Sequence, residues 1–91
     1  DFKREDKDVI FKEMALFKIV GNQRKMDKCI SACKKFNPVI LDQTKKSTVI
    51  QVTALRREID KMNIKLKPLG LISTSRTGAV AMTRGAKIFN L

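Results

Sequence analysis

Two cysteines are the residues of this sequence whose type and spacing come closest to a metal site. Cys29 and Cys33 lie four positions apart, so in a helix they share one face and cannot easily bridge to each other. A structural zinc ion needs four ligands, and the sequence has no histidine to help complete the set. We therefore predict no metal and no other cofactor, and we place Cys33 on a buried helix face in a reducing compartment.

Groups suited to catalysis are scarce as well. The lack of histidine removes the commonest general base. Glu58 and Asp60 alternate with basic residues, as exposed ion pairs do, and are not spaced like a pair of catalytic acids. Residues 78–87 contain two glycines and a final lysine, but their spacing does not fit a phosphate-binding loop. The sequence therefore predicts a binding protein and not an enzyme.

Basic residues give the strongest functional signal. Lys and Arg number 20 against 9 Asp and Glu, which gives a net charge of +11. Such a surface attracts polyanions, and nucleic acid is favoured over a membrane because no Trp or Tyr is present to anchor a basic helix in lipid. The alternative is a merely solvated basic face. The residues predicted to contact DNA phosphates are Lys18, Lys25, Lys28, Lys35, Lys45, Lys46, Arg57, Lys61 and Lys65.

Two amphipathic helices are predicted to position these side chains. Apolar residues recur every three or four positions over about residues 5–36, where a single helix or two pieces that meet at Gly21 would fit. Asn37-Pro38 disfavours further helix, and residues 39–48 have no helical period and would form a connector. A second helix is predicted from about residue 47 to residue 66.

Each predicted helix carries one narrow apolar seam, which indicates an antiparallel helical hairpin. A lone hairpin is too small to bury both seams, so we expect several copies to associate. The predicted fold is all-α: an oligomerising and DNA-binding helical core in residues 1–72, a short turn, and a loosely structured C-terminal tail in residues 73–91. The residues predicted to line the oligomer interface are Leu16, Ile19, Met26, Ile30, Cys33, Val52, Leu55, Ile59, Met62 and Leu66.

Residues 55–59 (LRREI) and 69–76 (LGLISTSR) resemble part of the small terminase subunits of tailed bacteriophages. In that group a helix is followed by a Leu-Gly-Leu-Thr-Pro-x-Ser-Arg-like segment, often with Asn-Pro before the helix, as at Asn37-Pro38 here. The sequence departs from this pattern at Ile72-Ser73, which replace Thr-Pro, and in the longer connector. The motif positions that can be carried over are Leu69, Gly70, Leu71, Ser75 and Arg76.

The resemblance implies a non-enzymatic DNA-packaging protein of a bacteriophage. Such a protein would assemble into a ring, bind double-stranded viral DNA in the host cytoplasm, and recruit or regulate the large terminase subunit. A cytoplasmic location agrees with the sequence, because no stretch approaches the roughly 18–20 apolar residues that a membrane-spanning helix needs. The alternatives are a small basic RNA-binding or ribosome-associated structural protein and, with less support, a helical transcription regulator.

Overall fold

The computed structural model describes the backbone of residues 9–83 and 88–90 and the side chains of residues 11–78. The strands and α-helices of these residues are β1 (Val9–Val20), α1 (Gln23–Cys33), β2 (Val39–Gln43), β3 (Ser47–Ala54), α2 (Arg56–Leu66), β4 (Leu71–Thr83) and β5 (Ile88–Asn90). Single 3₁₀ turns at Lys34–Phe36 and Lys67–Leu69 follow the two helices. The parts of the predicted first helix and tail at residues 5–8, 84–87 and 91 lie outside the described residues.

The prediction of an all-α helical hairpin is wrong, because the chain forms an antiparallel sheet with two helices packed on it. The strand order is β2-β3-β1-β4-β5. Within the sheet Phe17 of β1 lies opposite Ile50 of β3 on one side and Thr74 of β4 on the other. The succession β1-α1-β2-β3-α2-β4 is the βαββαβ arrangement of ferredoxin-like folds.

β1 occupies the first half of the segment that we predicted as the first helix. Ala15, Phe17 and Ile19 are fully buried, whereas Lys18 and Val20 between and after them are exposed. This period of two is that of a strand with one face on a core. The apparent helical period of the predicted first helix thus spans a strand, β1, and a helix, α1. Only its second part corresponds to a real helix.

α1 begins directly after this strand. The side-chain oxygen Oδ1 of Asn22 accepts a hydrogen bond from the backbone N–H of Lys25 at 2.9 Å, as an N-cap residue does. The helix therefore starts next to Gly21, at the point where the sequence analysis allowed a break.

β3 replaces the first half of the predicted second helix in the same way. Every second residue from Thr48 to Ala54 is buried, and the segment is rich in β-branched side chains, which favour a strand. Only the second half of the predicted helix, α2, is helical. It begins after Leu55, whose backbone N–H donates to Oε1 of Glu58 at 3.1 Å.

The predicted connector and tail also contain strands. Within the connector, β2 pairs with β3, and the supposed tail holds β4, which pairs with β1 from Thr83 to Leu71. The predicted boundary between residues 72 and 73 therefore lies inside a strand. The side chains of residues 73–77 are polar, but strand pairing uses backbone N–H and C=O groups, so low hydrophobicity did not prevent it.

The core lies between the sheet and the two helices. Phe17, Ile19 and Ile50 of the sheet meet Met26 and Leu66 of the helices, and all five side chains are fully buried. Complete burial of one such side chain contributes about 1.5–3 kcal/mol to folding. The helices thus bury their apolar faces against the chain's own sheet, and this burial needs no second chain.

Gly70 turns the chain from the end of α2 into β4. Its φ of 111° lies in the left-handed region that favours glycine, and a Cβ there would collide with the carbonyl oxygen of Val20. The backbone N–H of Val20 donates to the carbonyl oxygen of Gly70 at 2.9 Å. This close approach joins the end of β1 to the start of β4.

Candidate binding surfaces

An ion-pair network joins β1, α2 and β4. Nε of Arg76 donates to Oε1 of the buried Glu13, and Nη1 of the same guanidinium donates to Oδ1 of Asp60 at 2.6 Å. Both hydrogen bonds raise the pKa of Arg76, and the one to Glu13 has the larger effect. Arg56 adds a longer contact, with its Nε 4.0 Å from Oε2 of Glu13. Because Glu13 is paired with cations and held in place, the network acts as a clamp between elements.

The two cysteines are core residues. Both are free and fully buried, and Sγ of Cys29 donates to the carbonyl oxygen of Leu69 at 3.6 Å. The pKa of Cys33 is raised to about 11, mainly by burial and to a lesser extent by the electrostatic effect of the neighbouring Cys29. The Cys33 thiol therefore stays protonated at neutral pH. Among the described residues, no three Cys, Asp or Glu side chains form a group that could hold a metal ion.

A basic cleft of about 390 Å³ lies where the end of α1 meets α2. Its apolar side is formed by the partly buried Ala32 and Phe36 and the buried Met62. Nζ of Lys35 lies 5.0 Å from the centroid of the Phe36 ring, within the range of a cation–π contact. The residues that line this basic cleft are Ala32, Lys35, Phe36, Arg57, Glu58, Lys61, Met62 and Lys65.

β2, at one edge of the sheet, exposes three consecutive aliphatic side chains. Val39, Ile40 and Leu41 are 48%, 37% and 51% exposed, and we call these three residues the β2 patch. The register with β3 shifts between Ile40 and Asp42, so the regular alternation of side chains is interrupted at Leu41. Exposed runs of apolar residues are unfavourable in an isolated protein and are typical of binding surfaces.

Comparison with known proteins assigns the chain to a family. A model of the family described as "Small subunit of acetolactate synthase" matches residues 12–85. This match extends from β1 through β4 and includes both helices and the cleft between them. The chain belongs to the acetolactate synthase small-subunit family.

Individual members of the acetolactate synthase small-subunit family agree with this assignment. The chain is 29% identical over 79 residues to the acetolactate synthase small subunit of Bacillus subtilis (strain 168), a match that covers 87% of this chain and 46% of that protein. It is 22% identical over 85 residues to the acetolactate synthase small subunit of Mycobacterium bovis, with 93% of this chain and 51% of that protein covered. The chain therefore spans about half the length of the curated relatives that it matches.

A solved structure shows the same fold. The crystal structure of the acetolactate synthase small subunit from Thermotoga maritima matches with a TM-score of 0.67 and 23% sequence identity. The match covers 89% of this chain and 50% of that chain. The mixed α/β arrangement of sheet and helices is therefore one that a member of the small-subunit family adopts.

Membership of the small-subunit family overturns the resemblance to phage terminase small subunits. Residues 69–76, which carried that resemblance, form the Gly70 turn and the start of β4 instead of a turn followed by a loose tail. The family assignment therefore also overturns the predicted DNA-packaging function and the predicted ring. It likewise overturns the partners and setting predicted with them: double-stranded DNA, the large terminase subunit and the infected host cell. The alternative of an RNA-binding or ribosome-associated protein is not supported either. No α-helix of the described residues is both long and apolar enough to cross a membrane.

The nine residues predicted to contact DNA are all exposed, but they do not form one surface. Lys35, Arg57, Lys61 and Lys65 meet in the basic cleft. The other five lie elsewhere: Lys18 on the sheet face opposite the helices, Lys25 and Lys28 on α1, and Lys45 and Lys46 in the turn between β2 and β3. The spacing of basic residues predicted the cations of the cleft but not its aromatic member, Phe36, which the sequence indicated only as the end of a helix.

The residues predicted to line an oligomer interface lie mostly in the core of the single chain. Those that are buried are Ile19, Met26, Cys33, Val52, Ile59, Met62 and Leu66. Those that are half-buried are Leu16, Ile30 and Leu55. The premise that these side chains need another chain to cover them is therefore corrected. The β2 patch was missed, although three aliphatic residues directly after Pro38 are a visible signal in a supposed connector.

Proposed function

We propose that this chain forms part of a regulatory, non-catalytic small subunit of acetolactate synthase and acts by binding the large catalytic subunit. The match of the family model to residues 12–85 carries the proposal. The chemistry of the described residues supports it, because the buried Glu13 is paired with Arg76 and the buried thiols favour the protonated form. We also infer a cytoplasmic location, since both cysteines are free, as they are in reducing compartments.

The β2 patch is the surface we assign to contact with the catalytic subunit. Its three aliphatic residues are consecutive on an edge strand, where backbone N–H and C=O groups can also pair with another chain. Outside the β2 patch, the exposed aliphatic residues within the described residues 11–78 are single positions on β1, α2 and β4: Val20, Ile64 and Ile72. Three consecutive exposed aliphatic residues offer a partner more apolar area than a single one, so the β2 patch fits a protein partner better than these positions do.

The test uses the small subunit that contains this chain and the catalytic subunit of the same organism. Binding is measured by isothermal titration calorimetry, and the rate of acetolactate formation is followed as small subunit is added. We expect saturable binding and a changed rate. Leu41→Ser should weaken binding by about tenfold or more, because loss of an anchoring interface side chain commonly has an effect of that size.

Ile64→Ser is the matched control, because it removes an aliphatic side chain that is 71% exposed and lies outside the β2 patch. Its binding constant should stay close to that of the wild type. Wild-type small subunit that neither binds the catalytic subunit nor alters its rate would contradict the proposed function. Normal binding by Leu41→Ser would contradict only the assignment of the β2 patch.

A further inference from the structure

The basic cleft carries positive charge that no ion pair among the described residues neutralises. Arg57, Lys61 and Lys65 repeat every four residues on α2, so they lie on one helix face, where like charges repel. None of them forms an ion pair with a carboxylate of the described residues, and the same is true of Lys35. Four cations thus converge on one cleft at a cost to the isolated chain, a cost that a bound anion would remove.

Glu58 is the one carboxylate among the described residues that line the cleft, and it forms no ion pair with the cations there. Oε1 of Glu58 accepts the backbone N–H of Leu55 and so caps the start of α2. The side chain is therefore held at the helix N-terminus, while Lys61 and Lys65 lie one and two turns farther along the helix. Farther along α2, the charged residues that line the cleft are the cations Lys61 and Lys65.

An apolar wall sets this cleft apart from an ordinary basic surface. Phe36 and Met62 line it together with the cations, and the ammonium group of Lys35 lies over the Phe36 ring at 5.0 Å. The volume of about 390 Å³ falls within the range of roughly 300–1,000 Å³ typical of small-molecule sites. A bare inorganic ion would leave the aromatic wall unused, so the lining matches a molecule with both an anionic and an apolar part.

A second hollow adjoins the cleft at its aromatic wall. A neighbouring hollow of about 320 Å³ shares Lys35, Phe36 and Glu58 with it and adds the cation of Lys12. Asn37, which lies between the 3₁₀ turn and β2, lines this hollow in a left-handed conformation with φ of 51°. An occupant larger than a single phosphate therefore has room on both sides of Phe36.

We propose that the basic cleft binds a small organic oxyanion, a phosphate ester or a carboxylate, whose apolar group packs on Phe36. The oxyanion contacts Arg57 and Lys61 of α2, whose guanidinium and ammonium groups form charge-assisted hydrogen bonds with such ligands. The site is separate from the β2 patch, and its occupancy does not depend on the catalytic subunit.

The test is isothermal titration calorimetry on the full 91-residue chain with two pairs of probes. Phenyl phosphate is compared with inorganic phosphate, and phenylacetate with acetate, at constant ionic strength. In at least one pair the aryl anion should saturate a single site and bind about tenfold more tightly than its parent, because the ring buries apolar area on Phe36. The pair that responds identifies the oxyanion. No saturable binding, or equal affinities in both pairs, would overturn the proposal.

Two sets of variants separate the cleft from bulk charge. Arg57→Gln with Lys61→Gln should weaken aryl-anion binding by about tenfold or more. Lys25→Gln with Lys28→Gln removes the same charge from α1, and should leave binding within about twofold, because both side chains are exposed to salt and neither lines the cleft. An equal loss in both double variants would show general attraction to a basic protein and would overturn the proposal.

Phe36→Leu tests the aromatic wall directly. This variant keeps an apolar side chain, so the fold should persist, and circular dichroism checks this point. Its preference for the aryl probe over the parent anion should fall, while its affinity for the inorganic anion stays the same. An unchanged preference in a folded Phe36→Leu protein would show that the ring does not contact the ligand and would overturn the proposed site.

Discussion

The central strands and the β2 patch are built from the same kinds of side chain and use them in opposite ways. In β1, Phe17 and Ile19 are fully buried, whereas in β2 the side chains of Val39 and Leu41 are about half exposed. Both segments are apolar in sequence. What separates them is position, because β1 lies between two strands under the helices and β2 lies at the edge of the sheet. Apolar content alone thus does not show which strand supports the fold, and the position of the strand in the sheet does.

Phe17→Ala should give the largest loss of stability of the variants considered, because it tests the buried side chains of β1 in this comparison. Removing a buried phenyl ring typically costs about 3–5 kcal/mol, a large part of the total for a small domain. The free energy of unfolding, measured by urea titration followed by circular dichroism, should fall by that amount. A loss below about 1 kcal/mol would place Phe17 outside a well-packed core and break the comparison.

The pH dependence of the free energy of unfolding should show how strongly the core disfavours ionisation of the buried Cys33 thiol. Burial raises the pKa of Cys33 to about 11, so the unfolded chain ionises this thiol at lower pH than the folded chain does. Its contribution is therefore fully present at neutral pH and is lost as pH rises from about 9 to 11, by an amount of the order of 2 kcal/mol.

The measurement for this thiol compares urea titrations of the wild type and Cys33→Ala at several pH values. The variant is less stable at pH 7 because a buried side chain is shortened, but its stability should decline less steeply above pH 9. Parallel declines for the two proteins would mean that the Cys33 thiol ionises equally in the folded and unfolded chains.

Leu41→Ser should have the smallest effect on the isolated chain. Leu41 is 51% exposed and lies on an edge strand outside the core, so the substitution should change the free energy of unfolding by less than about 0.5 kcal/mol. The same urea titration provides the value. A loss comparable with that of Phe17→Ala would show that the β2 patch supports the fold, and its assignment to a partner would then have no basis.

The two helices could be located from sequence, and the sheet could not. α1 and α2 both lie inside segments with a true helical period. The period was extended too far towards the N-terminus in each case, because Leu16, Val49 and Val52 happen to continue the spacing of three and four. The alternation of buried residues in β3 was an available strand signal within a β-branched run. The pairing of β4 with β1 depends on contacts far apart in sequence, and the polar residues 73–77 gave no local sign of it.

The binding surfaces were recovered unevenly for a similar reason. The cations of the basic cleft were identified from spacing within two separate segments, Lys35 from the first predicted helix and Arg57, Lys61 and Lys65 from the second, and such spacing is a local property. Their approach to Phe36 depends on how the end of α1 packs beside α2, and this packing exists only once the sheet has formed. Arg76 was read as part of a motif, whereas its role in the structure comes from Glu13, which lies 63 positions earlier in the chain.

The place of β1 in the sheet also governs the order in which the chain can fold. This strand is synthesised before both of its neighbours in the sheet, β3 and β4, and its N-terminal end is opposite Thr83. Until those later segments emerge, β1 has two unpaired edges and an uncovered aromatic side. Long-range pairing of this kind slows folding and exposes the nascent chain to association with other chains. Chaperone demand during synthesis is therefore set by the delay between the emergence of β1 and that of β4.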